Sequence, residues 1–191
     1  VGAGTGNVVP FVPYGTTAGF HVGGYNFQGS APWSYGATKR INRISFVTDG
    51  NATDHGDLAL TTPNTYSQAV HGKQQQTGAS SETHGYAMGG YDAPTTTATV
   101  EKFSLTTANT AAEVGNLHQR CQYNQNGQSD GSKAFIAGGY YDNTKTFSMI
   151  QSYTYASDTG ADNGNDLDFA RAHQSGAQDG THGYIFAGYN A

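Results

Sequence analysis

Gly183-Tyr184-Ile185-Phe186-Ala187-Gly188-Tyr189 has three counterparts earlier in the chain. They are Gly19-Phe20-His21-Val22-Gly23-Gly24-Tyr25, Gly85-Tyr86-Ala87-Met88-Gly89-Gly90-Tyr91 and Ala134-Phe135-Ile136-Ala137-Gly138-Gly139-Tyr140. Each is a short apolar run closed by a small residue, a glycine and a tyrosine. The closing glycines fall at 24, 90, 139 and 188, at intervals of 66, 49 and 49. Two equal intervals mark an internal repeat, and a repeat governs the architecture before any single element does.

A second landmark is a leucine that closes an Asp-, Asn- or Gly-rich turn: Leu58, Leu117 and Leu167. From glycine to leucine is 34, 27 and 28 residues, and from leucine to the next glycine 32, 22 and 21. The first copy therefore carries about seven extra residues around Trp33 and about ten around Lys73 to Ser80, read as surface-loop insertions. Between the landmarks each copy holds another strand: Ile41 to Thr48, Thr99 to Leu105 and Met149 to Ala156. In Val100-Glu101-Lys102-Phe103-Ser104-Leu105, apolar residues recur at alternate positions apart from the charged pair, which is the period of a half-buried strand. Turns follow at Asp49-Gly50-Asn51, Thr107-Ala108-Asn109 and Asp158-Thr159-Gly160. About four short strands in roughly 49 residues is the size of a β-propeller blade of the kelch type. The glycine pairs are expected to make sharp exits, often at positive φ, where a neighbouring unit packs too closely for a Cβ.

Composition agrees. Charged residues make up only 12% of the 191 positions and apolar ones 36%, while Gly (27 copies) and Tyr (13 copies) are abundant. Aromatic and β-branched residues with many glycines favour strands joined by tight turns. The aromatics and a net charge of -5 argue against disorder. No basic run exists to neutralise phosphates; the densest cluster is Lys39-Arg40 with Arg43, so nucleic acid is not expected as a partner. A single Cys121 rules out an intrachain disulfide framework. No apolar stretch is long enough for a membrane span. The start, Val1-Gly2-Ala3-Gly4, lacks a charged n-region and an initiator Met, as expected of a processed chain or part of a longer one.

The hydrophobic strand, the Gly-Gly pair and the following Val-Glu-x-Phe or Ile-Gln-x-Tyr resemble kelch repeats. A nearer resemblance is to the kelch-like repeat proteins of marine tailed phages, especially those of cyanobacteria. It is carried by Thr181-His182-Gly183-Tyr184-Ile185-Phe186-Ala187-Gly188, Tyr155-Ala156-Ser157-Asp158-Thr159 and Asp166-Leu167-Asp168-Phe169-Ala170-Arg171. It spans about residues 17 to 191, and the first copy lacks the arginine. The resemblance implies a virion structural or fibre component.

Chemistry-bearing residues have ready structural roles. His84 and His182 share one repeat position, where the third copy has Lys133, and no metal-ligand spacing surrounds them. Asp158, Asp162, Asp166 and Asp168, like Asp49, Asp54 and Asp57, are dense enough for calcium, but the matching turn of the middle copy has only Glu113; Asx turns explain them equally well. Tyr25, Tyr91, Tyr140 and Tyr189 are candidates for stacking on sugars or, because they recur, for packing between units. Trp33 lies outside the repeat, in the first-copy insertion, and is a candidate either for a subunit contact or for simple loop packing. No Gly-x-Ser-x-Gly elbow or phosphate loop is present.

The sequence thus predicts an all-β fold of kelch-like β-propeller-type repeats, three full four-stranded units and a partial fourth. The expected segments are an N-terminal edge segment (1–16, with Pro10 and Pro13), repeat 1 with insertions (17–82), repeat 2 (83–131), repeat 3 (132–180) and a partial repeat 4 (181–191). The expected function is that of a non-enzymatic phage virion protein (tail, fibre or capsid-surface decoration) serving assembly or host attachment in an extracellular particle. A lectin-like glycan-binding module is the alternative, and a kelch-type oxidoreductase a remote one. No catalytic, metal or cofactor residues are assigned and ligand-binding residues are unknown. Expected partners are other virion proteins, further copies of the chain and host surface glycans. The fourth copy ends just past its glycine motif, leaving an open edge that invites pairing; either the segment Asn7 to Tyr14 covers it within the chain or another copy supplies the missing strands, and the oligomer is the favoured expectation.

Overall fold

The computed structural model describes residues 17–28, 34–59, 72–92, 95–142, 145–179 and 181–190, with only the backbone of 25–28 and 34–36. Trp33 and the proline-bearing segment 1–16 lie outside the described residues. Among the described residues every regular element is a β-strand, twenty in all. The first copy contributes β1 (Ala18–Val22), β2 (Tyr25–Gln28), β3 (Ser34–Ala37), β4 (Arg40–Ser45) and β5 (Thr53–Asp57). The second contributes β6 (Thr77–Ser80), β7 (His84–Met88), β8 (Tyr91–Asp92), β9 (Thr95–Thr96), β10 (Thr99–Ser104) and β11 (Ala112–Asn116). The third contributes β12 (Asn124–Gln125), β13 (Gln128–Ser129), β14 (Lys133–Ala137), β15 (Tyr140–Asp142), β16 (Lys145–Thr146), β17 (Met149–Thr154) and β18 (Thr159–Asp166). The last contributes β19 (Gln174–Gln178) and β20 (Gly183–Phe186), so β6, β12, β13 and β19 are grouped with the copy that follows rather than with the segments 17–82, 83–131 and 132–180 read from the sequence.

These strands form several small sheets. β6-β7-β10-β11 and β13-β14-β17-β18 are four-stranded antiparallel meanders, and β1-β4-β5 is a three-stranded one. A two-stranded hairpin interrupts each: β2-β3, β8-β9 and β15-β16. The last copy has β19-β20, and β12 lies parallel on the edge of β19, the one departure from antiparallel pairing among the described residues. No closed ring of sheets is seen among the described residues.

The glycine pairs sit at positive φ in every copy. The first position has φ 60, 64 and 65 at Gly23, Gly89 and Gly138, and the second has φ 115, 98, 113 and 111 at Gly24, Gly90, Gly139 and Gly188. The leucine landmarks plug these exits. Leu58, Leu117 and Leu167 donate their N–H groups to Lys39, Ala98 and Ser148, and the side chains of Leu117 and Leu167 approach Gly89 and Gly138. In the fourth copy alanine stands at the first position: Ala187 has φ 55. An L-residue there costs about 1–2 kcal/mol, offset in part by the entropy of an unfolded glycine. Ala187→Gly is therefore expected to stabilise the last hairpin by about 0.5–1 kcal/mol. Slower amide hydrogen exchange at Ile185 and Phe186 would register the gain; unchanged exchange would count against it.

Adjacent copies are joined by hydrogen bonds that recur from one copy to the next. Gly24, Gly90 and Gly139 donate to the carbonyls of Lys73, Cys121 and Arg171. Tyr91, Tyr140 and Tyr189 exchange backbone bonds with Gln74, Gln122 and Ala172. One residue later, Gln75, Tyr123 and His173 all adopt positive φ (61, 54 and 58). They form a column, in which Tyr123 donates to the carbonyl of Gln75 and His173 to that of Tyr123. The next residues are amides: Gln76 Nε2 donates to the Val22 carbonyl at 2.5 Å, and Gln174 Nε2 to Ala137, each in the preceding copy.

This column corrects the reading of Lys73 to Ser80 as a surface-loop insertion. Lys73 is fully buried, Thr77 is buried, and residues 77–80 form β6, the edge strand paired with β7 in a four-stranded sheet. These residues correspond to Cys121–Ser129 of the next copy; the second of the first copy's two insertions therefore falls between Leu58 and Lys73.

The core consists of layers between copies. Phe20, Val22, Ile41, Leu58, Ala87 and Phe103 form one, and Tyr86, Met88, Val100, Ile136, Tyr153 and Tyr155 are central to the other. Alternate residues on each strand face alternate neighbours, so a sheet with two covered faces needs apolar or paired residues throughout.

Candidate interaction surface

Within each layer a ring on the second strand of one copy meets a ring on the third strand of the next. Phe20 on β1 packs edge-on against Phe103 on β10 at 5.5 Å. Tyr86 on β7 meets Tyr153 on β17 at 6.1 Å and stacks on Tyr155, just beyond β17, at 4.4 Å. At the ends of the described array these partners are missing. Tyr184 occupies the place of Tyr86 but is 45% exposed against 3%, and Phe186, in the place of Met88, is 52% exposed against 0%. At the opposite end Ile44 and Phe46 take the places of Phe103 and Leu105 and are exposed, Phe46 by 62%. The registers make the correspondence definite. Gly19, Gly85 and Ala134 pair with Ile44, Phe103 and Tyr153, and Phe46, Leu105 and Tyr155 donate to Thr17, Thr83 and Ser132.

β20 pairs with β19 on one side only, whereas its counterparts β7 and β14 are paired on both. Beside that open edge lies a groove of about 290 Å³ between the third and fourth copies. Phe135, Ala137 and Ile150 form one wall, Gly183 and Ile185 the other, and Gln128 and His182 contribute polar groups. It is the place that a third strand of the fourth copy would cover, as β17 covers Tyr86.

No protein-family model matches this chain, and no curated protein matches it.

The candidate residues have these positions. The Tyr25 side chain lies outside the described residues. Tyr140 is buried against Tyr123 (5.5 Å) and His173 (5.8 Å), Tyr91 is half-buried, and Tyr189 is exposed. Each of Tyr91, Tyr140 and Tyr189 thus sits on a seam, with a free ring at the end of the array. His84 and His182 occupy equivalent hairpin turns, their Nδ1 atoms 2.8 Å from the hydroxyls of Thr83 and Thr181. The same turn carries Asp130 or Asp179. Asp179 accepts bonds from the Thr181 and His182 N–H groups and from the Thr181 and Tyr184 hydroxyls, which hold its carboxyl far below the usual carboxylate range. Asp130 is likewise lowered by Ser132 and Lys133, whose bonds outweigh partial burial.

The acidic stretches do not converge. Asp54 pairs with Arg40 at 2.8 Å and caps Gly56, Asp57 pairs with Lys39, Asp158 pairs with Lys102, Asp162 caps the Gly164 N–H, and Asp168 pairs with Arg171. Among the described residues no three His, Cys, Asp or Glu side chains gather to hold a metal. Cys121 is fully buried, and desolvation pushes its thiol up to about 12, so it is no thiolate nucleophile near neutral pH. Burial likewise raises Tyr153 and, less far, Tyr86.

Sequence reading missed the buried polar seam. Lys73 Nζ pairs with Glu101 Oε2 at 2.9 Å and donates to Thr99 Oγ1 (2.8 Å) and the Thr99 carbonyl (3.2 Å). Gln151 holds the place of Glu101 in the third copy and exchanges bonds with the Gln119 backbone. The signal was present: amides (Gln74-Gln75-Gln76, Gln122 to Asn126, Gln174) precede the second, third and fourth strand-and-glycine motifs at similar distances.

Proposed function

We propose that this chain is a non-enzymatic structural protein of a bacteriophage virion, built of kelch-like propeller-type blades. It serves as a tail, fibre or capsid-surface component in assembly or host attachment. The observation that carries this reading is where the polar and reactive groups are spent. The buried lysine, glutamate, thiol and amides all act between or within copies, and the exposed Ile44, Phe46, Tyr184 and Phe186 are the unmatched ends of a stacking pattern, while Tyr141 and Phe169 lie against Arg120 and Arg171. Such a plan suits a rigid extracellular scaffold. The resemblance to phage kelch-like repeats supplies the setting.

A glycan-binding reading draws on the exposed rings of Tyr184 and Tyr189 beside the groove that Gln128 and His182 flank. Two measurements separate the readings. Antibodies against the chain are expected to label gradient-purified particles from a culture carrying the sequence. Labelling confined to soluble lysate, with none on particles, would overturn the virion assignment. A glycan array of the purified chain is expected to show no saturable binding under the purely structural reading; a saturable hit would establish the lectin alternative.

A further inference from the structure

We infer that the chain associates head to tail with a second copy of itself: the Tyr184–Phe186 face of one copy receives the Ile44–Phe46 face of the next. The inference deepens the structural reading above by naming the partner, and it rests on that reading only for its biological setting.

Three observations converge on it. The interior shows what each end lacks. In the first two copies the second-strand ring (Phe20, Tyr86) is covered by third-strand apolar groups of the following copy (Phe103, Tyr153, Tyr155), whereas Phe135 of the third copy faces the groove beside Ile185. The last copy presents the first half of that contact, Tyr184 with Phe186, uncovered, and the first copy presents the second half, Ile44 with Phe46, uncovered. One chain therefore carries both halves of a contact that it already makes internally. The two halves differ, so like faces do not match, and the contact is heterologous rather than two-fold. A heterologous contact that does not close a ring propagates. Large apolar rings at the centre of such a contact supply most of its affinity.

Side-chain direction supports the pairing. On β20, Tyr184 and Phe186 point one way while Ile185 points back into the groove with Phe135 and Ile150. The forward face is thus the one that a following copy would meet. On β4, Ile41 is buried against the second copy, and Ile44 lies on the other face.

Two double variants test the inference, a head variant (Ile44→Ser with Phe46→Ser) and a tail variant (Tyr184→Ser with Phe186→Ser). Sedimentation velocity of the unmodified chain is expected to show mass rising with concentration beyond the dimer. Each variant alone is expected to stay monomeric, its dissociation constant raised at least about tenfold. An equimolar mixture of the two is expected to form dimers and stop there, because each variant keeps one working face. Far-UV circular dichroism checks folding; the single exchanges Phe46→Gln and Phe186→Gln serve if a double variant loses its β spectrum. A monomeric unmodified chain at tens of micromolar would overturn the inference. So would a tail variant that dissolves the assembly while the head variant leaves it intact, since that pattern belongs to a two-fold contact. Self-association without particle labelling would sink the virion reading and leave the head-to-tail contact standing; labelling with a monomeric chain would do the reverse.

Discussion

Glu101→Ala is expected to cost the fold about 3–5 kcal/mol. The Lys73 ammonium is about 1% exposed, and its three donors have three acceptors: the Glu101 carboxylate, the Thr99 hydroxyl and the Thr99 carbonyl. Removing the carboxylate leaves a positive charge between the first and second copies with no counter-charge and no route to water. The large effect is the penalty of that orphaned charge, not the worth of the pair, because desolvating both ions cancels much of their attraction. The third copy makes the point within the same molecule. It fills the equivalent place with Gln151, bonded to Gln119 and beside Cys121, and needs no ions there. Replacing both partners by apolar residues of similar size, Lys73→Met with Glu101→Leu, is accordingly expected to be near neutral or stabilising. Urea unfolding followed by far-UV circular dichroism measures both. A loss below about 1 kcal/mol for Glu101→Ala would show that water reaches Lys73 and that the pair is not sealed.

Gly90→Val is expected to cost at least about 3 kcal/mol, from two independent sources. Gly90 has φ 98, a conformation that side chains rarely adopt, with a strain of roughly 1–3 kcal/mol. A Cβ built there meets the Gln74 carbonyl oxygen at 2.7 Å and the Gln76 Cβ at 3.0 Å, and overpacking of that kind adds about 1–3 kcal/mol. The backbone cannot give way easily, since the Gly90 N–H is bonded to the Cys121 carbonyl at 2.6 Å and its carbonyl accepts from Thr97. Gly139→Val, at φ 113 with the Gln122 carbonyl oxygen 3.1 Å away, is expected to behave alike. Gly50→Ala is the control: a Cβ there meets nothing within 4 Å, and a change within about 0.5 kcal/mol is expected. Equal melting temperatures for Gly90→Val and Gly50→Ala would refute the claim that these exits are sterically closed.

The strand class and the glycine exits were legible in the chain because they depend on local chemistry. Aromatic and β-branched runs punctuated by glycine read as strands, and β4, β10 and β17 lie where alternation places them, each ending a little early. The glycine pairs read as positive-φ turns and are. What was not legible depends on partners far along the chain. Nothing local marks Lys73 as buried; it takes Glu101, 28 residues on, to make it so. The amides of Gln76, Asn124 and Gln174 look like loop polarity until backbone carbonyls are found opposite them. Positive φ at Gln75, Tyr123 and His173 was hidden because no glycine announces it. The candidate surface was half legible: Tyr184 and Phe186 stood in the repeat motif, but their exposure and the matching exposure of Ile44 and Phe46 needed the strand registers.

The column that runs from Gln75 through Tyr123 to His173 has a consequence for how the molecule loses its structure. Each copy is bonded chiefly to its nearest neighbours, so stability is a sum over seams rather than a property of one centre. The free energy needed to open a copy depends on whether it has one seam or two. Melting then proceeds as unzipping, from the last hairpin and from β1 inward, with β10, β14 and β17 the last to exchange their amides. A partner that adds a seam at either end converts a fraying terminus into an interior, and so protects residues it never touches.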